Sequence, residues 1–464
     1  MTALPAPGPL AQVLFPGLEL GDARRDRRFA AVVEGFAAGP GPSLPAVFPR
    51  AADYDACLRL FDSPTATHAH ILSAHQVAVL ERLEAVTTPV LLIHDATHLD
   101  FSGHTTLDAD DGPIGNGGGR GWVAHQTIAV SPADRTVYGL VAQILHTRPE
   151  STQGEPVAVR RARKDRETRL WTDALAEIGP TPAGATWIDL MDRGADAFEV
   201  LWELTARRRT FVVRSAHNRA LGDGRSDAAA GEKLHDAVRA VPAATTWDLD
   251  LPGRPGRPAR PARLGAAALG TTLRPPHVRK GEYPRVPIAI TVVRVWEADP
   301  PAGTAALEWL LLTNLAATTP AEIRQVADYY ACRMQIEEYH KAQKTGAAIE
   351  GCQFQSGKKV KAYIAVLSVV SVALLNLRLA ARDPARSAWP ATTALPAAWV
   401  ALLRRLRVRA RPLETVQDFW VHLAWLGGYM KDRPERDPPG WQTLWRGWRK
   451  LQTILQYEQS RPKM

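Results

Sequence analysis

At 464 residues the chain is too long for one ordinary core, and two or three packed units are expected. Hydrophobic residues at 45% and charged residues at 23% match a folded, water-soluble chain and argue against a disordered or fibrous one. Lys+Arg 57 against Asp+Glu 48 gives net +9 and a pI near 9.6. This balance suits a chain that neutralises phosphates, although an arginine-rich soluble enzyme would have the same composition.

Cys57, Cys332 and Cys352 lie far apart without CxxC or Cys/His spacing, so neither a disulfide framework nor structural zinc is expected. The opening MTALPAPGPLAQVLF has no basic stretch followed by a long apolar run, and no signal peptide is read. A cytoplasmic location is therefore expected.

From Asp22 to Ala38 the pattern is helical. Asp22 stands at the cap position, and Phe29, Val32, Val33 and Phe36 recur at i, i+3, i+4, i+7. Arg24, Arg27 and Arg28 fall on the other side, with Arg25 between the faces, as a solvated stripe or a surface for a partner. A helical N-terminal unit over 1–80 is expected.

The period then changes. PVLLIHDATHLDF (89–101), VAHQTIAVSP and RTVYGLVAQIL read as strands, followed by a helix near 166–177, the strand ATWIDLMD, a helix from about Asp196 and the strand TFVVRS. This order predicts an α/β, ribonuclease-H-like core over 81–380. Between 216 and 308, Gly/Pro/Arg clusters such as PGRPGRPARPAR and LRPPHVRKGEYPR separate β-rich runs, so a β-rich insertion is expected there. The 16 uncharged residues of AYIAVLSVVSVALLNL carry two serines and an asparagine and are short for a bilayer span of about 30 Å, which predicts a buried helix and no membrane partner. A helical C-terminal unit over 381–464 ends in WQTLWRGWRKLQ, whose Trp441, Trp445 and Trp448 share a face as core or as a self-association surface.

One helix, YYACRMQIEEYHKAQK (329–344), mixes cations with two adjacent glutamates. At about 100° per residue, Tyr330, Arg333, Glu337, Lys341 and Lys344 share an arc of roughly 80°, while Tyr329, Cys332, Ile336 and Tyr339 form a core face. Glu338 falls away from the cluster, so Glu337 is the candidate. Taken alone, the pattern would equally suit an i,i+4 ladder of ion pairs.

Asp95 closes the apolar run VLLIH, and Asp192 closes WIDLM. A charge ending a buried strand is costly without a partner, and a cation is the usual one. Asp95, Asp192 and Glu337, without Cys or His companions, favour Mg²⁺ or Mn²⁺ over zinc. Two such ions about 3.5–4 Å apart serve in-line phosphodiester displacement. Asp100, Asp189 and Asp196 are the nearby decoys, Asp189 having the opposite strand parity to Asp192.

The spacing Tyr330-x2-Arg333-x3-Glu337-x6-Lys344 resembles the signature of DDE transposases of the insertion-sequence-four family. LGDARRDRRF, IHDATHLDF, RGWVAHQ, MDRGADAF, FVVRSAHNR, WLLLT and LAWLGGYMKDR are also similar to that family, in the same order along the chain. The resemblance is loosest over 216–305 and 381–413. It implies a metal-binding triad of Asp95, Asp192 and Glu337, with two Mg²⁺ per site and Mn²⁺ as substitute. Tyr330, Arg333 and Lys344, with Lys341 beside them, would grip phosphates. Trp309 would stack a flipped base, Arg214 matches an active-site arginine, and Arg24, Arg25, Arg28 and Arg59 lie in the region that reads the terminal repeat. The implied activity is cut-and-paste transposition through a DNA hairpin, by a homodimer on paired transposon ends that also engages target DNA. A catalytically silent DNA-binding derivative and a metal-dependent nuclease without strand transfer are the alternatives.

Overall fold

The computed structural model describes residues 10–38, 44–104, 111–115, 118–150, 159, 163, 165–222, 233–251, 253, 258–276, 286–406, 408–431 and 439–460. Four helices open it, Leu10–Leu14, Ala23–Ala38, Leu44–Val47 and Ala51–Asp62, and a fifth, His68–Glu84, leads into the sheet. Phe29, Val32, Val33 and Phe36 are buried, as their helical spacing predicts. The Asp22 carboxylate accepts from the Arg24 N–H at 2.7 Å and so caps the second helix.

Among the described residues ten strands form one mixed sheet: β1 (Val90–Asp100), β2 (Gly112–Ile114), β3 (Gly119–Val130), β4 (Val137–His146), β5 (Trp187–Met191), β6 (Thr210–Arg214), β7 (Thr245–Leu251), β8 (Arg260–Leu273), β9 (Ile288–Glu297) and β10 (Glu308–Thr313). Their order is β2-β3-β1-β5-β6-β10-β9-β8-β7, with β4 on β3. Among the described residues, only β1, β5 and β6 run parallel to one another, and the remaining strand pairings are antiparallel. Helices Thr168–Ile178 and Phe198–Ala206 make the parallel crossovers, whose apolar faces need cover on both sides of the sheet.

The expected β-rich insertion is therefore an extension of the same sheet. β10 pairs with β6 and carries β9, β8 and β7 outward. β8 begins at Arg260, inside the Arg/Pro cluster, while 252, 254–257 and most of LRPPHVRKGEYPR lie outside the described residues.

Helix Gly357–Arg382 is long and apolar enough to cross a membrane by length and composition, but 78% of its most apolar window is buried in the fold. It lies in the same core as Phe36, Phe61, Ile93 and Phe419, so helices from both ends of the chain pack on one sheet. The indole of Trp448 donates to Ala37 O at 3.1 Å and packs edge-on against Trp399. Trp441 and Trp445 are buried as well, so of the two expectations for these tryptophans the core one holds in this chain. Helices Val416–Leu426 and Trp441–Ser460 meet at paired glycines. A Cβ on Gly447 would lie 1.8 Å from Leu423 O, and one on Gly427 would lie 1.9 Å from Thr443 O, so no side chain fits at either position.

Candidate metal-assisted phosphoryl-transfer site

Strand register brings the first residues together. β1 pairs with β5 up to Ile93↔Leu190, and β5 pairs with β6 up to Met191↔Val213. Continuing those registers by two residues and by one sets Asp95, Asp192 and Arg214 in a single row. The row crosses β1 just past the end of its pairing with β5, and the carboxyl ends of β5 and β6, the edge at which open α/β sheets bind ligands. Burial along β1 follows the same logic: Val90–His94 are buried, and the strand opens from Asp95 onward.

Asp192 caps the turn Arg193–Ala195 by accepting from the Gly194 N–H at 2.7 Å. Glu337 comes from above. Thr319, Pro320 and Glu322 form a capping box with Pro at the first helical position, and so start helix Pro320–Ala331. The chain breaks at Cys332–Arg333, resumes as helix Met334–Lys341, and passes through a π turn at Ala342–Gly346.

Arg333 sits at that break, 15% exposed, and donates to Asp95 Oδ2 and to Glu337 Oε1, both at 3.1 Å. Burial pushes the Asp95 carboxyl up to about 6; Arg333 opposes the rise, and Asp192 and Glu337 add to it. Two further carboxylates thus act on Asp95 electrostatically, with one guanidinium between them.

The other candidates surround this centre. Tyr330 is buried and meets Trp309 of β10 edge-on at 5.2 Å. Burial raises its phenol above the usual range, partly offset by Arg333 and Arg214. Arg214 donates to Glu308 O at 3.3 Å. Lys344 donates to His98 O on β1 and pairs with Glu350 at 3.4 Å.

Lys341 departs from the helical reading. It pairs with Glu338 at 2.9 Å, an i,i+3 contact on the same helix, and not with Glu337, whose i,i+4 partner is Arg333 on the other side. Glu338 proves to be a structural hub, accepting also from Arg378 and from the Trp441 indole. The decoys are structural too. Asp189 is fully buried between Arg209 and His94, and Asp196 accepts from Ala216 N, His217 N and Arg219. Asp100 accepts from the Ser102 N–H.

On the N-terminal helices Arg24 is 84% exposed beside Asp22, Arg25 donates to Leu20 O, Arg28 pairs with Asp53 at 2.8 Å, and Arg59 is exposed. They stand on the N-terminal helices, and not on the strands and helix that carry the carboxylates.

The sequence reading passed over His340. A ring nitrogen of His340 and one oxygen each of Asp95 and Glu337 lie within 4.8 Å of one another. The ring is buried, with Nε2 unpartnered, and burial pulls its pKa down to about 3. Glu337-x-x-His340 is an i,i+3 pair on one helix, a spacing used for metal ligands in helical carboxylate proteins, and that was the available signal. Two carboxylate oxygens and a neutral imidazole nitrogen this close together fit a divalent cation.

Residues 9–66 match the family model for the transposase DNA-binding region. The match covers the first four helices, including Arg24, Arg25, Arg28 and Arg59. A transposase-type DNA-binding function and association with DNA follow for this part of the chain.

Proposed function

We propose that the chain is a cut-and-paste DNA transposase of the DDE class, similar to the insertion-sequence-four family, built on a ribonuclease-H-like core. The carrying observation is the row Asp95–Asp192–Arg214 across the three parallel strands, closed from above by Arg333 and Glu337. The order β4-β3-β1-β5-β6, with β1, β5 and β6 parallel, supports that core. The N-terminal match to a transposase DNA-binding region supports DNA ends as the substrate.

Asp95, Asp192 and Glu337 would hold two Mg²⁺, for which Mn²⁺ substitutes. Such a pair activates an attacking oxygen and stabilises the leaving one during in-line displacement at phosphorus. The chain's own residues do the positioning. Arg333, freed from its carboxylates, binds a phosphate beside the scissile bond through its planar fork. Lys344 holds a second phosphate as a point charge. Trp309, backed edge-on by Tyr330, offers a face for an extruded base, which relieves strain where the two strands join as a hairpin.

One site then serves successive displacements: nicking at the transposon end, attack of the freed 3′-OH on the opposite strand, hairpin opening, and attack on target DNA. Geometry, and not a dedicated base, carries each step. A homodimer on two paired ends is the working assembly, acting on the nucleoid.

The test uses the terminal repeats flanking the gene. With pre-cut ends, Mg²⁺ and target plasmid, the wild-type chain is expected to join ends to target. Cleavage without joining would leave a nuclease, and binding without cleavage a silent derivative.

A further inference from the structure

We infer that His340 is a nitrogen ligand to one of the divalent cations, forming with Asp95 and Glu337 a mixed nitrogen–oxygen position that prefers Mn²⁺ to Mg²⁺. The inference rests on the proposed phosphoryl-transfer reading and adds to it a ligand of a different chemical type.

The geometry carries it. Donors about 2.1 Å from an ion sit about 3 Å apart when adjacent and about 4.2 Å apart when opposite. One oxygen of Asp95, one of Glu337 and a ring nitrogen of His340 lie within 4.8 Å of one another, so a small closure suffices. The His340 side chain is 8% exposed, and its Nε2 has no hydrogen-bond partner. A buried ring with so few polar partners gains from a cation held at the nitrogen that stands near the two carboxylates. Glu337 and His340 stand three residues apart on helix Met334–Lys341, so one turn presents both donors to the end of β1.

Donor type then sets the metal. Mg²⁺ demands near-ideal octahedral oxygen coordination and keeps its waters, whereas later first-row ions accept imidazole with increasing affinity. Among them Mn²⁺ keeps the carboxylate preference that Asp95 and Glu337 impose. Arg333 now bridges those carboxylates and gives way as the cation enters.

The experiment uses the full chain loaded with Mn²⁺ and read by pulsed electron paramagnetic resonance. A directly bonded imidazole gives a ¹⁴N modulation that changes when histidine is ¹⁵N-labelled. The expected result is that modulation in the wild type, its loss in His340→Gln, and Mn²⁺ affinity weakened at least roughly tenfold, with Mg²⁺ affinity far less affected. The wild-type spectrum needs no variant to fold, and a metal-free thermal melt of His340→Gln that matches the wild type reports that the variant is intact. Mn²⁺ that is bound, displaced by Asp95→Asn, and shows no ¹⁴N modulation overturns the His340 assignment and leaves the carboxylate site standing. Absence of Mn²⁺ binding by the wild type overturns both.

Discussion

Asp189 and Asp192 stand three residues apart, one in the middle of β5 and one just past its end, and differ sharply in their surroundings. Asp189 is fully buried, with Arg209 donating to both its oxygens at 2.7 and 2.9 Å and His94 at 2.9 Å. Asp192 follows the last strand residue, half-buried, level with Asp95. Asp189→Asn leaves the Arg209 charge buried without its partner, so a loss of about 3–5 kcal/mol is expected. Asp192→Asn keeps the cap on Gly194 and should cost under about 1 kcal/mol, while end cleavage disappears. Urea midpoints beside cleavage assays check both, and equal destabilisation would contradict the division.

Arg333 acts as an internal cation between Asp95 and Glu337. Replacing it with Gln leaves two facing carboxylates, and the metal-free chain should lose about 1–3 kcal/mol. Addition of Mg²⁺ or Mn²⁺ is expected to recover more stability in Arg333→Gln than in the wild type, because the cation no longer displaces the guanidinium. Thermal melts with and without cation measure this, and equal shifts in the two proteins would count against it.

His75 ties three parts of the fold together. Its Nδ1 meets Leu14 O at 2.7 Å and its Nε2 meets Leu140 N at 3.2 Å. The carbonyl can only accept, so Nδ1 carries the proton and Nε2 is the acceptor. Burial lowers its pKa from 6.5 to about 4. Between those values the unfolded chain binds the proton and the folded chain does not. Stability from this group is therefore intact above pH 6.5 and falls as pH drops toward 4, by about 3 kcal/mol at most. His75→Gln should be less stable at neutral pH and show a flatter pH dependence; the same slope as wild type would refute the role.

Trp309 tests the hairpin step separately from metal chemistry. Trp309→Ala should leave end nicking nearly intact and slow hairpin formation about 5–150-fold, the equivalent of about 1–3 kcal/mol of stacking. Trp309→Phe should recover most of that loss. A 2-aminopurine at the extruded position reports stacking directly, and unchanged fluorescence in Trp309→Ala would exclude this base-stacking role.

Much of this was legible in the residues, for reasons that also mark where it stopped. The runs VLLIH and WIDLM are buried as their composition predicts, and Asp192 falls just past the end of β5, whereas β1 continues to Asp100 through its pairing with β3 and carries Asp95 in mid-strand, which no local pattern shows. The extension of the sheet through β10, β9, β8 and β7 was not legible, since β10↔β6 pairing joins segments about a hundred residues apart and leaves no local pattern. For Lys341 the angular wheel gave the side of the helix but not the partner: Glu338 at i,i+3, itself tied to Arg378, takes the ammonium that Glu337 at i,i+4 would also reach. The tryptophan stripe revealed an apolar face but not what covers it; Ala37, at the far end of the chain, supplies part of that cover. His340 lay between the core and cationic arcs, and only the approach of β1 singles it out.

The most direct measurement is single-turnover cleavage of end DNA by Asp95→Ala, Asp192→Ala and Glu337→Ala, each beside Glu338→Gln, which keeps an acceptor for Arg378 and Trp441, and with end binding measured in parallel. Loss of Mg²⁺-dependent cleavage in the first three, with end binding retained and with Glu338→Gln still cutting, is the predicted outcome. Cleavage surviving in any of the three carboxylate variants, or a wild-type chain that binds ends but never cuts them with Mg²⁺ or Mn²⁺, would contradict the account.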